Sequence, residues 1–273
     1  MSVLACPSCG LGLVREKVRY VCRRGHSFDV ARDGYVNLLP PGRHPEGDSR
    51  AMLHARRAFL ERGFYAPLAD ELAGRASGTT LDAGCGEGAY LRRIDGPRVG
   101  IDISKAAIQL AARRDPGGLY AVASVHRLPL VGGSVDTVLS VFSHRSYPEF
   151  ARVLRPGGRV LLVEPGPDHL LELRRLLSDD PRMRRETAER PDLDGPLRVA
   201  EEQRLRLVLP LGRDDLANLL AMTPFALHAP AERQRDVTAR DGLEVTADFV
   251  LTVLEQEKSP PLAADGLSAV AGE

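Results

Sequence analysis

Cys6, Cys9, Cys22 and His26 bring four metal-seeking side chains into the first 26 residues, at the spacing C-x2-C-x12-C-x3-H. Zinc takes four such ligands at the corners of a tetrahedron, about 2.3 Å from sulfur and about 2.0 Å from nitrogen. A C-x2-C pair on a tight knuckle aims two sulfurs at one point, and Gly10 directly after Cys9 eases that turn. Cys22 and His26 supply the other two ligands from a second turn. A unit spanning residues 1–36 is too small to bury a self-sufficient core, so bound metal would supply the missing folding free energy. Four protein ligands leave no open coordination position, so the expected zinc is structural rather than catalytic.

The fourth cysteine, Cys85, lies far downstream in a glycine-rich run, so no disulfide framework is expected. The chain of 273 residues is long enough for one sizeable core plus a small appended module. Apolar residues make up 43% and charged residues 27%, as in an ordinary soluble globular protein. No apolar run approaches the roughly 18 residues a spanning helix needs. The opening MSVLACPSCG lacks a signal peptide's basic start and long apolar stretch. These features predict a cytoplasmic protein with no membrane partner. The formal net charge is zero, so any nucleic-acid contact has to come from local basic patches.

Along the chain, Tyr20 to Cys22 and Ser27 to Val30 read as short strands around a turn at Arg24-Gly25. The stretch from Pro40 to Gly47 is rich in turn formers and reads as a linker. A helix is expected from Arg50 to Arg62, stopping at Gly63, with Met52, Ala55 and Phe59 on one face and Arg50, His54 and Arg57 on the other. From Thr79 onward, short apolar runs alternate with helical stretches. Strands are predicted at Thr80 to Ala83, Val99 to Ile103, Leu119 to Ala123, Val135 to Val141 and Arg159 to Glu164, with a helix at Lys105 to Arg114. That alternation predicts an α/β fold: a parallel sheet covered by helices on both faces. Further strands are expected at Leu205 to Leu209 and Leu243 to Leu254, the latter as a paired sheet edge, with a helix from Arg213 to Met222 between them. The organisation predicted is a zinc-binding module (1–36), a linker and helix (37–76), a catalytic domain (77–256) and a disordered tail (257–273).

The run Leu81-Asp82-Ala83-Gly84-Cys85-Gly86-Glu87-Gly88 follows an apolar strand and is expected to open a helix. Its glycines let the backbone approach a bound nucleoside. Dinucleotide enzymes use similar loops, so the run alone leaves that alternative open. Asp82 precedes the first glycine, where a carboxylate can engage a cationic amino group. Asp102 ends the next strand, where a carboxylate can accept from both ribose hydroxyls. Val153-Leu154-Arg155-Pro156-Gly157-Gly158 precedes the Arg159 to Glu164 strand, a turn frequent in class I methyltransferases. Together these features favour S-adenosylmethionine as the ligand, on a class I, Rossmann-like methyltransferase sheet.

The chain resembles the bacterial 23S rRNA (guanine-N1) methyltransferases of the RlmA type. The resemblance rests on the cysteine and histidine cluster, Gly34-Tyr35-Val36-Asn37-Leu38-Leu39, Gly47-Asp48, Ala55 to Leu60, Leu81 to Gly88, Asp102 to Lys105, His126 to Pro129, Pro165 to Leu170 and Met222-Thr223-Pro224-Phe225. It covers roughly residues 5–255. It implies methyl transfer from S-adenosylmethionine to N1 of one guanine in a 23S rRNA hairpin loop near the peptide exit tunnel. It also implies a homodimer whose zinc modules flank a cleft for that hairpin. One branch of the family confers macrolide resistance; the His126 to Pro129 and Met222 to Phe225 segments look more like the housekeeping branch. Phe142-Ser143-His144-Arg145 departs from the Ala-Pro segment the family often carries there. Ser124 stands where many methyltransferases place an acid for the adenine amine.

For the donor, the sequence nominates Asp82, Gly84, Gly86, Glu87 and Asp102, and the resemblance adds Tyr65 and His169. The guanine N1 proton must leave before or during transfer, which calls for a nearby base. His144 and Glu164 are candidates because each is expected at the carboxyl end of a strand, where such sheets bind ligands. Cys85 reads as a small buried filler. RNA contacts are expected from Arg15, Lys17, Arg19, Arg23, Arg24, Arg50 and Arg57. Arg56 falls inside the apolar arc of its helix. The arginines from Arg174 to Arg185 read as a solvated helix face. Aromatics are only 5% of the chain, which limits stacking partners for a flipped base to Tyr20, Phe28, Tyr35 or Phe142. Two other readings compete: a small-molecule methyltransferase that uses zinc for oligomerisation, favoured by the zero net charge, and an RNA-binding module without transfer activity.

Overall fold

Short strands with one apolar side fold only against something else. The front of this chain meets that need by packing onto the rest. Its strands β1 (Leu13–Glu16), β2 (Arg19–Cys22) and β3 (Ser27–Asp29) form an antiparallel sheet in the order β1-β2-β3. A two-residue strand follows, β4 (Val36–Asn37), then helices α1 (Arg50–Glu61) and α2 (Ala66–Arg75). The computed structural model describes residues 3–40, 42, 47–180, 193, 195–223, 226 and 228–256. The expected tail, Pro224 and Phe225, Arg182 to Arg185 and part of the proline-glycine linker lie outside the described residues.

The main body holds β5 (Thr80–Ala83), β6 (Arg98–Asp102), α3 (Lys105–Arg114), β7 (Leu119–Val122), β8 (Val135–Val141), α4 (Tyr147–Val153) and β9 (Leu154–Pro165). Then come α5 (Leu171–Leu177), β10 (Leu197–Gly212), α6 (Arg213–Met222), α7 (Ala231–Thr238) and β11 (Gly242–Gln256). The eight-stranded sheet runs β10-β11-β9-β8-β5-β6-β7-β4. β4 to β9 pair in parallel, while β11 is antiparallel to both β9 and β10. All four residues of β5 and six of the seven in β8 are buried, the near-continuous apolar run of a strand covered on both faces.

Several details differ from the sequence reading. β11 is not an edge: β10 lies outside it along its whole length, so the expected edge strand is interior. The glycine-rich loop opens only a 3₁₀ turn at Leu91–Arg93. Three left-handed glycines occupy the loop, and β6 begins at Arg98, which leaves no room for a full helix. The short strand β1 was not expected, because its LVRE sequence buries only Leu13.

The front end is not a separate lobe. Leu4, Leu13 and Tyr20 share one buried cluster with Leu81, Val99, Leu130 and Phe150 of the main body. The Ala5 amide donates to the Pro129 carbonyl (2.8 Å) and Arg127 Nη2 to the Pro7 carbonyl (3.1 Å). Val36 and Asn37 pair with Ala121 and Val122, so the main sheet crosses the boundary expected after residue 36.

Helix α1 starts where the Ser49 hydroxyl accepts from the Met52 amide (3.2 Å) and stops before Gly63, whose φ is +82°. It buries Leu53, Ala55 and Phe59, so Leu53 replaces the expected Met52 at the centre of its apolar face. Arg174 of α5 is 3% exposed, which corrects the expectation of a solvated arginine face there.

Candidate metal centre and donor-binding site

The three cysteines and His26 converge. Their ligand atoms all lie within 4.8 Å of one another. Cys9 Sγ is 3.7 Å from Cys22 Sγ, and His26 Nδ1 lies 3.5 Å from Cys6 Sγ and 3.4 Å from Cys22 Sγ. A zinc tetrahedron with ordinary bond lengths has sulfur–sulfur edges of about 3.8 Å and sulfur–nitrogen edges of about 3.6 Å. These three edges match a structural zinc, and the remaining pairs lie within 4.8 Å, so the donor set fits that metal. Cys6 ends a bridge from Ala5 to Gly12, and Cys22 ends β2, so two hairpins deliver the ligands. Burial raises the Cys22 thiol. The Arg24 and His26 amides, with the neighbouring Cys9 and His26 side chains, outweigh it and bring the thiol down to about 6. A thiolate is the form a metal binds.

The second site sits at the carboxyl ends of β5 and β6, where open parallel sheets bind ligands. Gly84 has φ +90°, and a Cβ there would stand 2.4 Å from Ser143 Cβ, so only glycine fits. Ser143 fills the space, with its hydroxyl donating to the Ala83 carbonyl (2.7 Å). Asp102 holds the loop: Gly86 donates to one carboxylate oxygen (2.9 Å) and Ser104 to the other (2.7 Å). Each oxygen keeps a further lone pair for a ligand hydroxyl. Burial raises this carboxyl's pKa, and the two amides oppose the rise.

Asp82 is 1% exposed, and neither of its oxygens has a hydrogen-bond partner among the described residues. Burial, with Asp102 nearby, pushes its carboxyl up to about 8. A buried carboxylate left without partners is costly unless a cation answers it. The amino group of S-adenosylmethionine is such a cation, so the loop and its two acids fit that donor.

The other nominated residues divide. Glu87, nominated for the donor, packs inward against a neighbouring helix. Its carboxylate is 2% exposed and lies 3.3 Å from Arg114 of α3, in a cluster with Arg57 and Arg92. Tyr65 is buried, with its hydroxyl unpartnered among the described residues and its ring edge-on to Phe59 (5.3 Å) and Phe249 (4.9 Å). Phe249 also meets His169 (5.1 Å) and Phe142 (5.6 Å). Tyr65 and His169 thus meet through Phe249, which was legible from the sequence only as a strand residue and not as part of a site. His169 Nδ1 accepts from the Asp248 amide (3.2 Å), and burial lowers its pKa to about 4, which keeps the ring neutral.

The proton-transfer candidates also part company. His144 is exposed, its ring 6.2 Å from that of His126. Glu164 is 9% exposed at the end of β9 and pairs with Arg145 at 2.6 Å. Phe142, at the end of β8, takes φ +52° and stays 42% exposed, a strained aromatic at the lip of the sheet. Sequence reasoning also missed the seat of Gly84 on Ser143 and the approach of Arg56 to the loop. Both depend on contacts between distant segments.

Comparison with known proteins bears on both sites. Residues 4–43 match the zinc ribbon described as "RlmA, N-terminal", and residues 81–162 match the family described as "Methyltransferase domain". The 23S rRNA (guanine(748)-N(1))-methyltransferase of Streptomyces fradiae is 39% identical over 92% of this chain and 95% of its own. YxjB of Bacillus subtilis (strain 168), provisionally named a 23S rRNA (guanine-N(1)-)-methyltransferase, is 33% identical over 92% of this chain and 96% of its own. A solved structure from work on the conversion of a disulfide bond into a thioacetal group during echinomycin biosynthesis shares the fold. It has a TM-score of 0.50 and 16% identity, over 71% of this chain and 83% of that one. With a zinc ribbon in front and a class I methyltransferase sheet behind, the chain belongs to the RlmA-type 23S rRNA (guanine-N1) methyltransferase family.

Proposed function

We propose that the protein methylates N1 of a single guanine in a 23S rRNA hairpin loop, with S-adenosylmethionine as donor. The observation that carries this reading is the docking of the metal centre onto the lip of the donor sheet. The Ala5–Pro129 and Pro7–Arg127 contacts join the ribbon to the loop that leaves β7. An RNA held by the ribbon's exposed Arg15, Lys17, Arg23 and Arg24 is thereby brought toward the donor site. Asp82, Gly84, Gly86 and Asp102 hold the donor, which supplies an electrophilic methyl group on a sulfonium. Tyr65 and His169 back that site through Phe249. In this reading residues 1–36 present the RNA, 37–76 connect, and 77–256 carry the chemistry, in a cytoplasmic homodimer.

Transfer forms the N1–carbon bond, breaks the carbon–sulfur bond and releases the N1 proton. We assign the acceptor of that proton to Glu164 rather than His144. Glu164 is buried at a strand's carboxyl end beside Arg145, whereas His144 is exposed. Phe142, exposed and strained at the end of β8, is the stacking partner for the flipped base. Of the two neighbouring guanines modified in this family, the 39% identity to an enzyme named for guanine 748 favours that one over the housekeeping target. The test is incubation with 23S transcript and donor, followed by mapping of reverse-transcriptase stops. A single stop at that guanine is expected with the natural chain and a strongly reduced one with Glu164→Gln. Absence of N1-methylguanine, with donor binding intact, would overturn the proposal.

A further inference from the structure

Arg56 of α1 reaches the donor loop. Its Nη1 lies 3.9 Å from where a Cβ on Gly86 would stand. The same nitrogen pairs with Asp48, its only ion pair among the described residues, and the side chain is 27% exposed. Asp48 is itself fixed by its neighbour. A Cβ on Gly47 would stand 2.6 Å from Ser104 Cβ and 3.1 Å from Ser104 Cα, so the backbone at residue 47 lies directly on Ser104. Ser104 in turn donates its amide to Asp102. Asp48, Arg56, Gly86, Asp102 and Ser104 therefore form one continuous rim.

The charges on this rim are unevenly matched to the donor. Its amino-acid end carries an ammonium and a carboxylate. Asp82 and Asp102 answer the ammonium and the ribose, but two acids offer nothing to the donor's own carboxylate. Nearby cations are otherwise engaged: Arg114 pairs with Glu87 and Glu61, and Arg92 donates to the Gly88 carbonyl. Arg56 offers five N–H groups in a planar fork, and Asp48 engages only Nη1.

Resting on the donor-site reading above, we infer that Arg56 binds the donor's carboxylate, while Asp48 holds the guanidinium beside Gly86. Arg56 thereby selects S-adenosylmethionine over nucleosides that lack an amino-acid terminus. Its position on the helix that follows the ribbon's linker places donor recognition and RNA presentation on adjoining segments.

The test is calorimetry of the full, zinc-loaded chain with S-adenosylmethionine and with its decarboxylated form, which keeps the adenosine, sulfonium and ammonium. The natural chain is expected to prefer the full donor by about 10- to 100-fold, the worth of a charge-assisted pair. Arg56→Ala should lose that preference by weakening the full donor alone, with the decarboxylated ligand serving as the control for folding. Should the alanine variant fail to fold, Arg56→Lys keeps the charge but not the fork, and should lose part of the preference on the same side. Equal weakening of both ligands, or none, would overturn the role of Arg56. Failure of the natural chain to bind either ligand would instead remove the donor site itself, and the inference with it.

Discussion

The metal centre and the donor loop solve opposite problems. The ribbon's four ligands come from a 21-residue stretch and are complementary among themselves, waiting only for one cation. The donor loop is assembled from strands brought together by topology. It is left with a surplus of two acids: Asp102, half-buried and held by amides, and Asp82, buried and held by nothing among the described residues. A site whose charges close on a metal stabilises the fold. A site whose charges stay open is a place where a ligand does the closing.

The largest test of this contrast is Cys9→Ser. Loss of a ligand should release the metal and unfold β1 to β3, as read by metal content and circular dichroism. Because Leu4, Leu13 and Tyr20 share a core with the main body, the main melting transition should fall too. Each such side chain contributes roughly 1.5–3 kcal/mol by burial. An unchanged main transition would show the ribbon to be energetically independent and break the comparison.

A smaller effect is expected at Asp102. Asp102→Ala deprives the Gly86 and Ser104 amides of their acceptor and removes the proposed ribose contact. Donor affinity should fall by about 1–3 kcal/mol by calorimetry, while metal content stays unchanged. Asp102→Asn, which keeps one acceptor oxygen, should fall less. Parallel loss of metal would mean that the two sites are not separable.

The smallest test is one of sign. The Asp82 carboxyl is raised to about 8 in the folded chain, against about 3.9 when unfolded. Its contribution to stability is therefore complete below about pH 4 and is lost as pH rises through about 8. The metal centre should move the other way, because its thiols must lose protons to bind. Between pH 6 and 8.5, Asp82→Asn should therefore gain melting temperature relative to the natural chain, increasingly toward the alkaline end. A flat difference would mean that Asp82 is ionised throughout and already partnered.

The same contrast explains how much could be read in advance. The zinc ligands were legible because their spacing is local and their chemistry narrow. The parallel sheet followed from the alternation of strands and helices, and Thr80–Ala83 and Val135–Val141 matched to the residue, whereas the strand order came only from the fold. What stayed hidden depends on distance in sequence. Phe249 joins Tyr65 to His169 from a strand near the end of the chain, and Ser143 seats Gly84 from 59 positions away. Glu87 read as a ligand because the loop motif contains it, but Arg114, one helix away, turns it inward.

The two residues of β4 have a consequence for how this chain can be divided. Val36 and Asn37 cover the flank of β7, and Leu38 donates to the Val122 carbonyl at 2.9 Å. A fragment beginning after residue 40 would bare that flank while also uncovering Leu130 and Val99, leaving a row of unsatisfied peptide groups beside an apolar patch. Such a fragment would recruit strands from its own copies. The catalytic half stays soluble alone only if something else is stitched along that margin.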